Sequence, residues 1–176
     1  MYQYAKLKML DFYYGFLQKY LMWDSFEMME MDTDSTYFAC AYETMDEGVK
    51  PEFTKIEWEA AKKKYLVLDK SQKRTPGLFK EEWVGDGMVC LNSKTYFCWG
   101  KDTKFSQKGL SKSNKFGKET WKSVLFDEDI VSGTNMGFRM IDGKMVKYSQ
   151  LRSGLTSFYA KRKVLDDKIT TIPLDI

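Results

Sequence analysis

The chain has 176 residues, 43% hydrophobic and 16% aromatic, which suffices for one core or two small lobes and excludes a disordered chain. It contains no histidine, which excludes Ser-His-Asp triads, Cys-His dyads and histidine-ligated metals. The net charge of +3 is divided unevenly along the chain. Residues 1–93 carry 12 Lys/Arg and 16 Asp/Glu and are acidic, whereas residues 94–176 carry 16 Lys/Arg and 9 Asp/Glu and are basic.

The first predicted element is a helix over residues 3–21. Leu7, Leu10, Tyr14, Leu17 and Leu21 recur at the spacing of one helical face. Additional aromatic residues widen this face, so we expect the helix to be covered on more than one side.

Residues 26–40 predict a β-hairpin. Two short apolar runs flank Asp32-Thr33-Asp34-Ser35, whose residue types favour a turn, so the acidic residues are expected at or near the hairpin tip. Residues 51–66 predict a second helix with Pro51 in its first turn, because glutamates precede lysines in the order that suits the helix dipole.

A second hairpin is predicted from Leu78–Trp83 and Met88–Trp99, turning at Gly85-Asp86-Gly87. Lys94-Thr95-Tyr96 falls on its later strand. The following stretch, residues 104–117, is basic and rich in Ser and Gly, and no regular element is predicted there.

A third helix is predicted from about Lys118 to Phe126. Residues 132–135 (Ser-Gly-Thr-Asn) predict a loop, and Gly137–Ile141 with Met145–Tyr148 predict a hairpin around Asp142-Gly143. The last segment, Phe158–Ile169, is strand-like and very basic at residues 161–163.

The pair Asp32 and Asp34 is the strongest candidate for chemistry. In extended backbone, residues two apart point to the same side, and two neighbouring carboxylates repel unless a cation lies beside them. Mg²⁺ takes oxygen ligands of this kind, and two such ions can orient a nucleophile and neutralise charge on a phosphate. A solvated surface turn is the alternative interpretation.

Asp32-Thr33-Asp34-Ser35, in a hairpin after a long apolar helix, resembles motif C of the family B DNA polymerases. That motif usually reads Y-x-D-T-D-S, and this chain has Glu30 at the tyrosine position. Sequences from Maverick/Polinton-type transposons are closer to E-M-D-T-D-S. The resemblance implies that Asp34 is the principal metal ligand and Asp32 a supporting one, as the catalytic pair of a two-Mg²⁺ nucleotidyltransferase.

Two downstream segments extend the resemblance. Lys94-Thr95-Tyr96 is similar to the family's K-x-Y motif, which holds the primer end, and Lys104-Phe105-Ser106-Gln107-Lys108 is similar to the K-F-S-x-K segment of small protein-primed viral polymerases. The resemblance implies DNA contacts by Lys94, Tyr96, Lys104 and Lys108. An ordinary half-buried strand with lysines reaching into solvent is the alternative.

The basic segment also supports a polyanion partner through its charge. Eight lysines and two acidic residues lie between Lys94 and Lys122, with Trp99, Phe105 and Phe116 interleaved. Lysines with aromatic residues suit phosphate contact and base packing, so we expect salt-sensitive, sequence-independent DNA binding. A solvated lysine-rich face remains open.

The resemblance implies an α+β fold with antiparallel palm hairpins and flanking helices in residues 1–100, followed by a small thumb-like α/β lobe in residues 101–176. It implies DNA-directed DNA polymerase activity in DNA replication, with primer–template DNA and deoxynucleoside triphosphates as partners. A terminal protein primer is a further possible partner.

Two other motifs of family B palms do not occur in these 176 residues: the upstream D-x-x-S-L-Y-P aspartate and the K-x-x-x-N-S-x-Y-G helix. One or both Mg²⁺ ions would share the absent aspartate, so we expect no polymerase activity from these residues alone. The alternatives are a stand-alone nucleic-acid-binding remnant and a globular interaction protein.

The cellular location is predicted from what the sequence lacks. No apolar run reaches membrane-spanning length and no signal-peptide pattern is present, so we expect an intracellular, non-secreted protein without a membrane partner, nuclear if transposon-encoded. Cys40, Cys90 and Cys98 form neither a disulfide framework nor a zinc site, and we expect them to be small, buried hydrophobic side chains in a reducing compartment.

Overall fold

The computed structural model describes residues 2–158, 162–166 and 170–173. Helices and several small antiparallel sheets make it an α+β structure, as predicted. The chain divides into two compact units, Met1–Val84 and Gly85–Ile176. This division lies earlier than the boundary expected between residues 100 and 101, and it assigns Lys94 and Tyr96 to the second unit.

The first unit begins with a continuous helix, as predicted. It consists of α1 (Tyr2–Phe12), a π-helical segment (Tyr13–Leu17) and a final turn α2 (Gln18–Tyr20). The predicted buried face is wrong in part: Leu17 and Leu21 are buried, but Leu7, Leu10 and Tyr14 are exposed, because the face with Met9, Phe12 and Phe16 packs into the core. The π-helical segment contains Gly15, where an added Cβ would lie 2.8 Å from the Tyr65 hydroxyl oxygen. Glycine at this position therefore permits close packing against Tyr65.

The predicted hairpin follows, formed by β1 (Phe26–Asp32) and β2 (Ser35–Cys40). Phe26 is buried in the core of the first unit, and Met28 and Phe38 pack partly against it. The base of the hairpin is thus anchored while its tip lies outside the core.

The helix α3 (Lys55–Tyr65) begins later than predicted. Thr54 and Glu57 form a capping box: the Thr54 side chain accepts from the Glu57 amide, and the Glu57 carboxylate accepts from the Thr54 amide at 2.8 Å. The prediction that Pro51 occupies the first turn is wrong, because this cap starts the helix and Pro51 lies in the preceding turn.

The core of the first unit is largely aromatic. Phe16 stacks on Trp58 with ring centroids 5.3 Å apart, and Phe12 stacks on Phe79 at 4.1 Å. Phe79 forms an isolated parallel bridge with Leu66, and the rest of residues 78–83 is not part of a named strand. The predicted strand Leu78–Trp83 is therefore wrong.

A three-stranded antiparallel sheet opens the second unit, in the order β3 (Gly87–Asn92), β4 (Thr95–Trp99) and β5 (Lys104–Gln107). The segment predicted as one strand, residues 88–99, is itself a hairpin. Lys94 has a φ of 63° and reverses the chain there. The strand β5 was not predicted.

The predicted helix after the basic segment is confirmed as α4 (Lys118–Phe126). It buries Trp121 and Val124, and Trp121 stacks on Phe97 of β4 at 5.7 Å. This contact places the core of the second unit between α4 and one face of the sheet.

Two long strands, β6 (Val131–Ile141) and β7 (Lys144–Leu155), form a ribbon around the predicted Asp142-Gly143 turn. Both turn residues have positive φ, 48° and 74°. The loop predicted at residues 132–135 is wrong, since these residues belong to β6.

A last short pair joins β8 (Arg162–Val164) to β9 (Thr171–Pro173). It confirms extended backbone within the predicted segment Phe158–Ile169, of which residues 159–161 and 167–169 lie outside the described residues. Of the helices in the described part of the chain, none has the length and apolar character needed to cross a membrane.

Candidate functional site

The predicted catalytic pair lies at the tip of the first hairpin. Asp32 is the last residue of β1 and pairs with Ser35, the first residue of β2, so Thr33 and Asp34 form the connecting turn. Asp32 is half-buried and Asp34 is exposed. The expectation that the acidic residues lie at or near the tip is confirmed.

Local hydrogen bonds shape this tip. The Asp34 amide donates to the Asp32 carbonyl at 2.6 Å, and the Ser35 hydroxyl donates to the same carbonyl at 3.2 Å. The Thr33 hydroxyl donates to Asp32 Oδ1 at 3.0 Å. Asp32 is therefore oriented by its immediate neighbours in sequence.

The two carboxylates do not stand on one extended strand, which corrects the argument from i, i+2 spacing. Thr33 has a φ of 54°, in the left-handed region, so the backbone turns between Asp32 and Asp34. The acidic residue that shares a strand face with Asp32 is Glu30, which is also half-buried.

The donor atoms at the tip fit Mg²⁺ in type. Both candidate ligands are carboxylates, and Mg²⁺ is commonly held by one or two carboxylates, with water and substrate phosphates completing the coordination. Among the residues that the structure describes, no three or more Asp, Glu, Cys or His side chains cluster as a metal site. Asp32 and Asp34 can therefore supply part of a coordination sphere.

The four predicted DNA-contacting residues all lie in the second unit. Lys94 precedes β4 and Lys108 follows β5, and the pairing of Thr95 with Gln107 brings these two lysines to the same end of the sheet. The Lys108 amide donates to the Thr95 hydroxyl at 3.4 Å. Both lysines are exposed.

Tyr96 and Lys104 lie on one face of the same sheet. Tyr96 pairs with Ser106 and Cys98 pairs with Lys104, so these four side chains share the face opposite Phe97. Burial raises the pKa of the Cys98 thiol to about 11, although the charge of Lys104 acts in the opposite direction. The charge effect agrees with the position of Lys104 beside Cys98. The expectation of three buried cysteines holds for Cys98 only, since Cys90 is half-buried and Cys40 is exposed at the end of β2.

The interleaved aromatic residues have a structural role. Trp99, Phe105 and Phe116 pack partly against the core of the second unit. The Lys118 ammonium lies 4.2 Å from the centre of the Trp99 ring, a cation–π contact. The three rings are half-buried, so part of each remains accessible, and base packing by these rings stays a prediction.

Sequence reasoning missed one polar surface. Successive side chains of β6 and β7 point to opposite sides of the ribbon, and one side carries arginines, amides and a tyrosine. On this side the Arg139 guanidinium lies 5.2 Å from the centre of the Tyr148 ring. The alternation of polar and apolar residues in residues 133–152 was the available signal. The polar members of this face are Asn135, Arg139, Lys144, Tyr148, Gln150 and Arg152, and Ile141 and Val146 share it near the tip of the ribbon.

Comparison of the chain with protein-family models, curated proteins and solved structures finds no match.

Proposed function

We propose that this chain is part of a DNA-directed DNA polymerase of the family B type, acting by two-metal nucleotidyl transfer. The observation that carries the proposal is the hairpin that places Asp32 and Asp34 at its tip, after a long apolar helix. The K-x-Y-like and K-F-S-x-K-like segments, in the sheet of the second unit, support it.

In this proposal residues 1–100 correspond to the end of a palm and residues 101–176 to a thumb-like lobe. Asp34 is the principal Mg²⁺ ligand and Asp32 supports it, with the Thr33 hydroxyl orienting the Asp32 carboxylate. Bound Mg²⁺ would supply neutralisation of charge on the nucleotide phosphates. The missing ligand is an aspartate from an upstream motif that these residues do not contain.

Primer–template DNA is the proposed partner of the basic residues. Lys94 and Lys108, exposed at one end of the sheet, are placed for phosphates, and Tyr96 and Lys104 share a neighbouring face. Arg139 and Arg152, on the polar face of the ribbon, add positive charge.

The test is primer extension by the complete enzyme, with the upstream motifs present. We expect the Asp34→Asn variant to incorporate no nucleotide, because the amide carries no negative charge for the metal. Extension at the rate of the unchanged enzyme would overturn the assignment.

A stand-alone DNA-binding module is the second candidate. It is favoured by the absence of a three-ligand cluster in the described part of the chain and by the concentration of basic residues in one compact unit. DNA binding without any metal binding at the hairpin tip would select this candidate.

A further inference from the structure

The side-chain amide of Asn114 joins the basic segment to the ribbon. Its Nδ2 donates to the Thr134 carbonyl at 2.7 Å, and its Oδ1 accepts from the Thr134 amide at 2.9 Å and from the Thr134 hydroxyl at 3.0 Å. The side chain thus pairs with Thr134 as a neighbouring strand would, through one donor and one acceptor.

The contact between Asn114 and Thr134 is called the junction below. Within the basic segment, the Asn114 amide is held by further hydrogen bonds. Nδ2 also donates to the Ser111 carbonyl at 2.8 Å, and the Ser111 amide donates to the Thr134 carbonyl at 3.1 Å. The amide of Gln107, at the end of β5, donates to the carbonyls of Ser111 and Asn114 at 2.7 and 2.9 Å. A chain of hydrogen bonds therefore runs from β5 through the basic segment to β6.

Two glycines of the ribbon make room for this contact. A Cβ at Gly133 would lie 3.0 Å from Asn114 Oδ1, and a Cβ at Gly154 would lie 2.2 Å from Leu110 Cγ. Leu110 is itself buried in the core of the second unit. The segment 107–114 therefore packs closely against the base of the ribbon. Asn114 contacts β6 at Gly133, and Leu110 contacts both β6 at Gly133 and β7 at Gly154.

We propose that Asn114 is a positioning residue that holds the basic segment 108–117 and the ribbon β6–β7 as one rigid DNA-contacting surface. The inference rests on the proposed DNA binding. Lys108, Lys112 and Lys115 lie on one side of the junction, and Arg139 and Arg152 lie on the other. Because the two sides are held together before DNA binds, the protein loses less conformational entropy on binding.

Two variants break the junction in different ways. Asn114→Asp keeps the shape of the side chain but places a carboxylate oxygen against the Ser111 and Thr134 carbonyls. Gly133→Ala crowds the Asn114 side chain without changing any charge. The matched controls are Ser113→Asp, which adds the same charge at the exposed side chain next to Asn114, and Gly117→Ala, whose added Cβ would meet nothing within 4 Å.

The first measurement is limited trypsin digestion under native conditions, followed at Lys112 and Lys115. We expect cleavage about tenfold faster in Asn114→Asp and Gly133→Ala than in the controls, because several hydrogen bonds that restrain the segment are lost. This measurement needs no DNA, so it judges the junction separately from the proposed function.

The second measurement is the salt dependence of binding to a random-sequence DNA duplex, at a temperature where each variant is folded. We expect the slope of log affinity against log salt to fall by about 0.9 for each phosphate contact that the loosened surface loses. Both controls keep a larger slope than their paired variants. A role limited to stability would leave the slope of the folded variants unchanged.

The two proposals fail in distinguishable ways. Cleavage and salt slopes equal to those of the unchanged chain in both junction variants would overturn the role of Asn114. A chain that binds no DNA, yet shows the faster cleavage, would overturn the proposed function and retain the junction. If Asn114→Asp does not fold, Gly133→Ala provides the same test.

Discussion

The backbone amide of Asp34 donates a hydrogen bond to the backbone carbonyl of Asp32 across 2.6 Å. This bond closes the turn of the first hairpin and ties the exposed Asp34 to the end of strand β1. The position of the candidate metal ligands is therefore set by a local turn, and the turn is attached to the core through Phe26.

The turn contains a strained residue whose replacement should stabilise the protein. Thr33 is β-branched and has a φ of 54°, a conformation that asparagine tolerates better. We expect Thr33→Asn to raise the free energy of unfolding by up to about 1 kcal/mol, measured by urea denaturation. Thr36→Asn, in the extended strand β2, is the control and should lower it. A loss of stability in Thr33→Asn would contradict the turn geometry.

The aromatic core of the first unit predicts a large difference between two positions on one helix. Phe16 is fully buried and stacks on Trp58, whereas Leu7 is 62% exposed. We expect Phe16→Ala to lower the free energy of unfolding by about 3–5 kcal/mol and Leu7→Ala by less than about 0.5 kcal/mol. Similar losses in the two variants would mean that the helix buries a different face.

The Asp46 carboxylate predicts a pH dependence of stability. Asp46 Oδ1 accepts from Lys62 Nζ at 2.9 Å and from Trp58 Nε1 at 2.6 Å, and these bonds hold its pKa below the ordinary value of 3.8. Because the folded-state pKa is depressed, the contribution to stability is complete above pH 3.8 and is lost as the pH falls through the folded-state value. Asp46 is largely exposed, so solvent screening limits the effect.

Denaturant unfolding between pH 2 and pH 6 checks this dependence (about the range over which carboxylates titrate). We expect Asp46→Asn to reduce the fall in unfolding free energy at low pH relative to the unchanged chain. Lys62→Gln, which removes the partner instead, should reduce it as well. Curves for both variants that run parallel to that of the unchanged chain would show that the contact does not contribute.

The placement of lysines predicts which of them contribute to DNA binding. Lys108 is exposed at the same end of the sheet as Lys94, whereas Lys63 is an exposed lysine of α3 in the first unit. We expect Lys108→Ala to reduce the salt slope of DNA affinity by about 0.9 and Lys63→Ala to leave it unchanged. An affinity of the unchanged chain that is indifferent to salt would contradict phosphate contact altogether.

Elements whose signal is local were predictable from the sequence. The bounds of the N-terminal helix followed from apolar periodicity, although its buried face did not, since Leu7 and Tyr14 are exposed. The hairpins at Asp32–Ser35 and Asp142-Gly143 followed from turn residues between apolar runs. The position of Asp32 and Asp34 at the tip of the first hairpin was predictable for the same reason. The relative orientation of the two carboxylates was not predictable, because a threonine in the sequence does not indicate the positive φ that Thr33 adopts.

Elements that depend on contacts distant in sequence were missed. Ser132 to Asn135 have the composition of a loop but belong to β6, because they pair with residues 150–153 of β7. The hydrogen bonds between Asn114 and Thr134 add a second contact on the other edge of this strand. The turn at Lys94 is not predictable from the sequence either, because nothing in the residue type of a lysine indicates a positive φ. In β6, contacts distant in sequence override local preference, whereas at Lys94 a local turn forms without the residue types that favour one.

The central claim is that the tip of the first hairpin binds a divalent cation through Asp34. Paramagnetic broadening of backbone amide resonances by Mn²⁺, which accepts the same oxygen ligands as Mg²⁺, detects even weak binding at individual residues. The account predicts broadening centred on residues 32–35, lost in Asp34→Asn and retained in Asp24→Asn, a control at an exposed aspartate of the same unit. Broadening no stronger at the tip than at Asp24, or unchanged by Asp34→Asn, would contradict it.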